Sequence, residues 1–197
     1  MLSSMAEPAR RRATYEDILA LPEHVTGEII AGELYTQPRP AGPHTMVASE
    51  LGVDLGGSFG RDRGGPGGWI ILDEPELHLD DEILVPDLAG WKRERLPVEE
   101  RTGTYFTVVP DWVCEVLSPS TTTRDREVKA PAYARHGVDY LWFVDPVGCF
   151  VDGYERREEG WLWLGTFSEA DARIPPFDAV GLDLRALWAS VGGPHRG

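Results

Sequence analysis

Apolar and polar positions along the chain recur at two periods, and the switch between them outlines the elements. Val47, Leu51 and Leu55 fall at four-residue spacing in HTMVASELGVDLG, as on one face of an amphipathic helix. CFVDGYE and WLWLGTF alternate in aromatic residues and predict antiparallel strands. GWIIL, PELHL, EILVPDLAGW, YFTVV, DWVCEVL and YLWFVDP are short apolar runs and predict further strands. GEIIAGELY reads as a hairpin turning at Ala31-Gly32. Thr14 and Asp17 frame a capping box for a short helix, YEDILAL, which Pro22 stops. STTTRDREVKAPAYARHG has helical character with Gly137 as its stop, and Pro131 must kink it or begin its second part. DLRALWASV predicts a closing helix. GGSFGRDRGGPGG is expected to be a mobile loop, since it has neither the GK[ST] ending of a phosphate loop nor the strand-to-helix setting of a dinucleotide fingerprint.

Helices near both ends therefore flank a central run of strands, which predicts an α/β or α+β fold with a mixed central sheet. Residues 1–13 are expected to be a flexible basic lead, 14–190 a single domain and 191–197 a flexible tail. No repeat is visible. The length of 197 residues and 42% hydrophobic content suit one domain with a real core and exclude wholesale disorder. Cys114 and Cys149 have no metal-ligand or disulfide spacing and read as core thiols, so a cytoplasmic setting is expected. There is no apolar secretory segment after the N-terminal arginines and no run long enough to span a membrane. A net charge of −14 argues against indiscriminate wrapping of nucleic acid, but not against a local basic groove or a metal site.

The chemistry lies in carboxylates inside apolar runs. Glu115 interrupts DWVCEVL, where an unpaired charge costs several kcal/mol or takes up a proton. Asp87 ends EILVPD, and Glu28 opens EII in the first hairpin. Each has a structural reading as well: Asp87 as a turn cap after Pro86, Glu28 as a solvent-facing strand residue, Glu115 as half of a core ion pair. Together, carboxylates on neighbouring strands suit one hard cation, which supplies the missing countercharge. Lys129 follows on the next helix, either as a partner of that site or on a solvated face beside Glu127.

The ordered set VPDL, CEVLSPST, RDREVK and YLWFVDP, with ALPEHVTGEIIAGELY before it, resembles the Uma-two family of the PD-(D/E)XK nuclease-like superfamily, from about Thr14 to Leu187. The resemblance implies a restriction-endonuclease-like core, a mixed sheet flanked by helices, with metal-dependent phosphodiester hydrolysis. It makes Asp87 and Glu115 ligands of Mg²⁺ or Mn²⁺, with the Val116 carbonyl as a third ligand. Leu117 stands where the superfamily has lysine, and Lys129 fills that role from the helix. Glu28 would complete the catalytic set or hold a second metal. His44 would touch substrate or serve as a helix cap or support. Arg124 and Arg126, with Arg135 and the Lys92, Arg93 and Arg95 cluster, would line a phosphate groove or form a solvated face.

Two functions follow: a metal-dependent endonuclease acting on nucleic acid, DNA first, as a homodimer; or a weak or inactive nuclease-fold protein serving as a dimeric binding or regulatory module. Hydrolysis of a sugar by paired carboxylates is a third, which needs neither metal nor lysine.

Overall fold

The structure is a computed structural model that describes residues 11–38, 42–61 and 63–192. Most of the lead and tail, residues 1–10 and 193–197, lie outside the described residues. The lead residues inside them are tied down: the Ala13 N–H donates to the Gly32 carbonyl at 2.8 Å. Among the described residues no helix is long and apolar enough to cross a membrane.

Helix α1 (Tyr15–Leu19) opens on the expected capping box, with the Thr14 N–H donating to Asp17 at 2.8 Å. The hairpin of β1 (Val25–Ile30) and β2 (Glu33–Pro38) follows. It turns at Ala31 and Gly32, whose φ values of 53° and 81° give the primed turn that fits twisted strands. Helix α2 (Pro43–Leu55) buries Val47, Leu51 and Leu55. The glycine-rich stretch departs from the expected loop: Gly56–Gly60 continues the helix as a π turn, because Phe59 carries the four-residue apolar stripe one turn further and is buried.

Strands β3 (Trp69–Asp73), β4 (Leu77–Leu79), β5 (Glu82–Leu84), β6 (Leu88–Lys92), β7 (Trp112–Val116), β8 (Tyr140–Asp145), β9 (Phe150–Arg157) and β10 (Gly160–Phe167) complete two sheets. The smaller has the order β2-β1-β5-β4, the larger β10-β9-β8-β7-β6-β3. In the larger sheet β7 and β8 are parallel and the other neighbours antiparallel, so it is mixed as expected. EILVPDLAGW is not one strand. Pro86 has no N–H to give a ladder, and the run breaks at Val85–Asp87 into β5 of one sheet and β6 of the other. YFTVV is not a strand either; Phe106 alone bridges to Leu77.

Between β7 and β8 the chain crosses over through α3 (Thr122–Arg124), a π turn (Asp125–Lys129) and α4 (Ala130–His136), with Gly137 at φ 91° ending it. The π turn is how the helix absorbs Pro131: the Ala130 N–H reaches back five residues to the Asp125 carbonyl. Helix α5 (Leu184–Ser190) packs on α2.

The central strands of the large sheet are buried on both faces. Trp112, Cys114 and Val116 of β7 face the core formed with α2 and α5, while Val113 and Leu117 face the core that includes Ala130, Ala132 and Tyr133 of α4. Alternation therefore aims Glu115 at the α4 side. Cys114 is a core thiol, whereas Cys149 sits half-buried in the β8–β9 turn at φ 57°.

Candidate active site

Glu115 stands in the middle of a buried strand, 3% exposed, and its partners come from the crossover helix. The Lys129 ammonium lies 2.7 Å from Glu115 Oε1, and the Tyr133 hydroxyl donates to the same oxygen at 2.5 Å. Lys129 is 1% exposed and also reaches Glu28 Oε1 on β1 at 3.0 Å and the Val85 carbonyl at 3.0 Å. The break at Val85–Asp87 thus serves the site twice. It sends the Val85 N–H to Glu28 Oε1 at 2.8 Å, and it swings Asp87 against β7, where Oδ2 accepts the Val116 N–H at 2.7 Å. Asp87 Oδ2 also lies 3.2 Å from His44 Nε2, at the start of α2.

The site carries more negative charge than positive. Glu28, Asp87, Glu115 and Asp125 converge on Lys129, with Arg124 Nη2 3.7 Å from Glu28 and 3.6 Å from Asp125. Arg124 also donates to Gln37 of β2. Two buried carboxyl oxygens, Glu28 Oε2 and Asp125 Oδ1, have no hydrogen-bond donor. Burial pushes the Glu115 carboxyl well above its ordinary range, with Asp125, Asp87 and Glu28 adding to the shift and Lys129 opposing it. Burial raises Asp125 in the same way. For Lys129 burial works against the charge, but the surrounding carboxylates outweigh it and raise the ammonium, which stays cationic. His44 is likewise raised: Asp87 outweighs the effect of burial.

Of the residues singled out from sequence, the structure gathers Glu28, His44, Asp87, Glu115, Val116, Arg124 and Lys129 in one cluster. Val116 enters through its N–H. In an extended strand the carbonyl of the same residue points to the same side, toward Asp87. His44 does not cap α2, whose N-cap is Gly42; it supports Asp87. Arg126 is not in the cluster: it pairs with Asp152 at 3.1 Å and lies 4.5 Å over the Phe143 ring. Arg135 is held by Glu82, while Lys92 and Arg95 pair with Asp111. These cations are committed to the fold rather than to the site.

Asp125 and Tyr133 belong to the cluster and were missed. Asp125, Lys129 and Tyr133 form a polar stripe at four-residue spacing, all buried, on the face where a packed helix should be apolar. That stripe was readable in the sequence.

Among the described residues no group of three or more acidic, histidine or cysteine side chains has the arrangement of a ready metal cage. The donor set still fits a cation of the magnesium kind, which takes one or two carboxylates and completes its shell with water and phosphate. Both contacts to Glu115 fall on Oε1 and those to Asp87 on Oδ2, so each carboxylate has a second oxygen to offer.

A family model described as "Putative restriction endonuclease", Uma2, matches residues 13–186. Among solved structures, one described as "a putative nuclease belonging to DUF820 from Anabaena variabilis ATCC 29413" is similar at a TM-score of 0.72 and 26% identity, covering 91% of this chain and 99% of that one. Comparison with curated proteins finds no match.

Proposed function

The chain belongs to the Uma2 family, and from that premise we propose that it is a nuclease, hydrolysing phosphodiesters of DNA with Mg²⁺ or Mn²⁺ held by Asp87, Glu115 and the Val116 carbonyl. The observation that carries the reading is the buried excess of carboxylate around one lysine. A core built only for stability avoids such an excess, because each unpaired buried charge is costly. A bound cation would supply the missing countercharge, sharpen a water into a nucleophile and neutralise phosphoryl oxygens.

The side chains have distinct roles in this reading. Lys129, held cationic, acts as a hydrogen-bond donor and positive charge beside the attacked phosphorus, not as a base. Glu28 has a buried oxygen without a donor and is the acceptor for a proton leaving the nucleophile. Tyr133 fixes the Glu115 rotamer through Oε1, and His44 fixes Asp87. Arg124, shared by Glu28 and Asp125, is the arginine best placed to meet a phosphate oxygen.

One observation favours the second reading, a binding or regulatory module: Lys129 is saturated by Glu28, Glu115 and the Val85 carbonyl, as in a closed, resting site. In either reading a second copy is the expected partner. The face best suited to it is β10, an edge strand with exposed Leu162 and Trp163 and no charged residue.

The deciding experiment incubates the purified protein with single- and double-stranded DNA and RNA in Mg²⁺, Mn²⁺ or EDTA, beside Asp87→Asn and Lys129→Met. Metal-dependent cleavage absent from both variants is expected. Cleavage that survives in both variants, or in EDTA, refutes the proposal. No cleavage by the wild type under any metal, with binding retained, favours the regulatory module.

A further inference from the structure

Close packing explains one of the glycines of α2 and its π turn but not the others. Helical glycine is unfavourable by about 1 kcal/mol relative to alanine, so a run of them needs a reason. Gly52 has one: an added Cβ would sit 2.8 Å from an Asp73 carboxyl oxygen. At Gly56, Gly57 and Gly60 a Cβ would meet nothing within 4 Å. These three leave bare backbone along one wall of a groove of about 630 Å³, whose other wall is the edge strand β3. Bare helical backbone beside open space is what close approach of a ligand requires.

The far end of the groove is basic. Arg61, Arg63 and Arg93 line it. Arg61 and Arg63 are exposed and, among the described residues, form no ion pair. Most other described cations are paired with acids, in a chain of 33 acidic and 19 basic residues. Arg93 bonds two carbonyls, Gly60 and Trp69, at 2.6 and 3.0 Å, and so staples the π turn to the sheet edge. Two exposed arginines that form no ion pair among the described residues, gathered with Arg93 in one groove of an acidic protein, match an anionic ligand.

The near end of the groove adjoins the active site. Asp73 pairs with Leu88, the Glu74 N–H donates to the Asp87 carbonyl at 3.0 Å, and α2 starts at Pro43 beside His44, which touches Asp87. The five residues of β3 span about 13 Å from that end to Trp69, which is room for several backbone phosphates. Exposed Val53 adds an apolar patch to the wall.

We propose that this groove is the track for the nucleic-acid strand leading out of the active site, with its sugar–phosphate backbone against Gly56, Gly57 and Gly60 and its phosphates on Arg61 and Arg63. This rests on the nuclease reading, and the experiment separates the two. Binding of a labelled oligonucleotide is followed by anisotropy in EDTA from about 20 to 200 mM salt, for the wild type, Arg61→Ala/Arg63→Ala and Gly57→Phe. Turnover of the small diester bis(p-nitrophenyl) phosphate is measured with Mn²⁺. At about 0.7 per contact for a single strand, losing two phosphate contacts lowers the salt slope by about 1.4 and weakens binding about 25-fold at 0.1 M salt. Gly57→Phe fills the groove, keeps its melting temperature and also loses binding. Small-diester turnover stays at the wild-type rate in both variants. Unchanged affinity and slope in both variants overturn the track, as does a parallel loss of small-diester turnover. Equal wild-type binding of polyglutamate, also lost in the variants, overturns the assignment to nucleic acid. Oligonucleotide binding lost in the variants, with no cleavage by the wild type, upholds the groove while the nuclease reading fails.

Discussion

Replacing Lys129 by methionine keeps an unbranched side chain one heavy atom shorter and removes its charge from a site where it is 1% exposed. Glu115 Oε1 at 2.7 Å and Glu28 Oε1 at 3.0 Å then lose their cation. At an effective dielectric of about 20, each contact is a Coulomb attraction of about 6 kcal/mol, much of it offset by desolvation. Breaking a buried pair by removing one partner typically costs about 3–5 kcal/mol. Proton uptake sets a ceiling. A carboxylate with an ordinary pKa near 4.3 takes up a proton at pH 7 for about 1.36 × 2.7, or roughly 3.7 kcal/mol, and at pH 5 for about 1 kcal/mol. One orphaned charge therefore cannot destabilise the variant by more than these amounts. The sign follows. In the variant the carboxyl pKa is raised in the folded state, so the penalty grows as pH rises above about 4.3. In the wild type the raised Lys129 keeps its contribution until pH passes the ordinary lysine value of about 10.4. Because burial already raises Glu115 in the wild type, the gap between wild type and Lys129→Met is only the further rise caused by losing the cation, at most about 1 kcal/mol at pH 5 and about 3.7 kcal/mol at pH 7 for one carboxylate. Urea unfolding in EDTA at the two pH values measures it. A gap below about 0.5 kcal/mol, or one that does not change with pH, refutes the placement of Lys129 as the countercharge of this cluster.

Other variants test other parts of the molecule. Glu115→Gln should abolish the melting shift caused by Mn²⁺; a shift of wild-type size means that Glu115 is not a ligand. Glu82 accepts from the Ala31 N–H, Arg135 and His136, and although burial alone would raise its carboxyl, these partners hold it below the ordinary range. Its stabilisation is therefore present above about pH 4.3 and lost as pH falls through the lowered folded value. Glu82→Gln should cost about 1–3 kcal/mol at pH 7 and approach the wild type as pH falls through the lowered folded value, as thermal scans across pH would read. If β10 pairs two copies edge to edge, Trp163→Lys should convert a dimer to a monomer in sedimentation analysis. A wild type that is already monomeric at about 100 μM removes that partner.

The sequence exposed elements whose local rules agree with the fold and hid those where tertiary structure overrides them. The β7 strand was legible as a continuous apolar run, because both of its faces are buried, and α2 as an apolar stripe at four-residue spacing. The split of EILVPDLAGW was not, although Pro86 carried the hint, because only the layout of two sheets shows that β5 and β6 part company there. Of the site, Glu115 was legible as a charge in an apolar run. Arg126 was misleading: an arginine two residues from Arg124 reads as a groove residue, yet a helix turns such neighbours well apart, and Arg126 faces Asp152 and Phe143. Tyr133 and Asp125 needed the helix stripe to be read for polar residues as well as apolar ones.

The position of the lysine now has a physical account. Leu117 follows Glu115 by two residues, so strand alternation puts it on the same face, and a lysine there would enter the same region. Here that face is packed instead: Leu117 is buried in the core with Ala130, Ala132 and Tyr133. The cation arrives from the crossover helix, and its reach depends on the helix register. The π turn of Asp125–Lys129 inserts the extra residue that Pro131 makes tolerable, since Pro131 has no N–H to lose from the α-helical ladder. Arg124 then lies at the entrance of the turn and Lys129 at its end, and both meet Glu28. Moving the lysine from the strand to the helix thus exchanges a charge fixed by the sheet for one fixed by a single irregular turn. On the nuclease reading, activity would be more sensitive to helix register than to strand pairing, and a substitution that restores regular α-helix around Val128 should displace Lys129 while β7 remains intact.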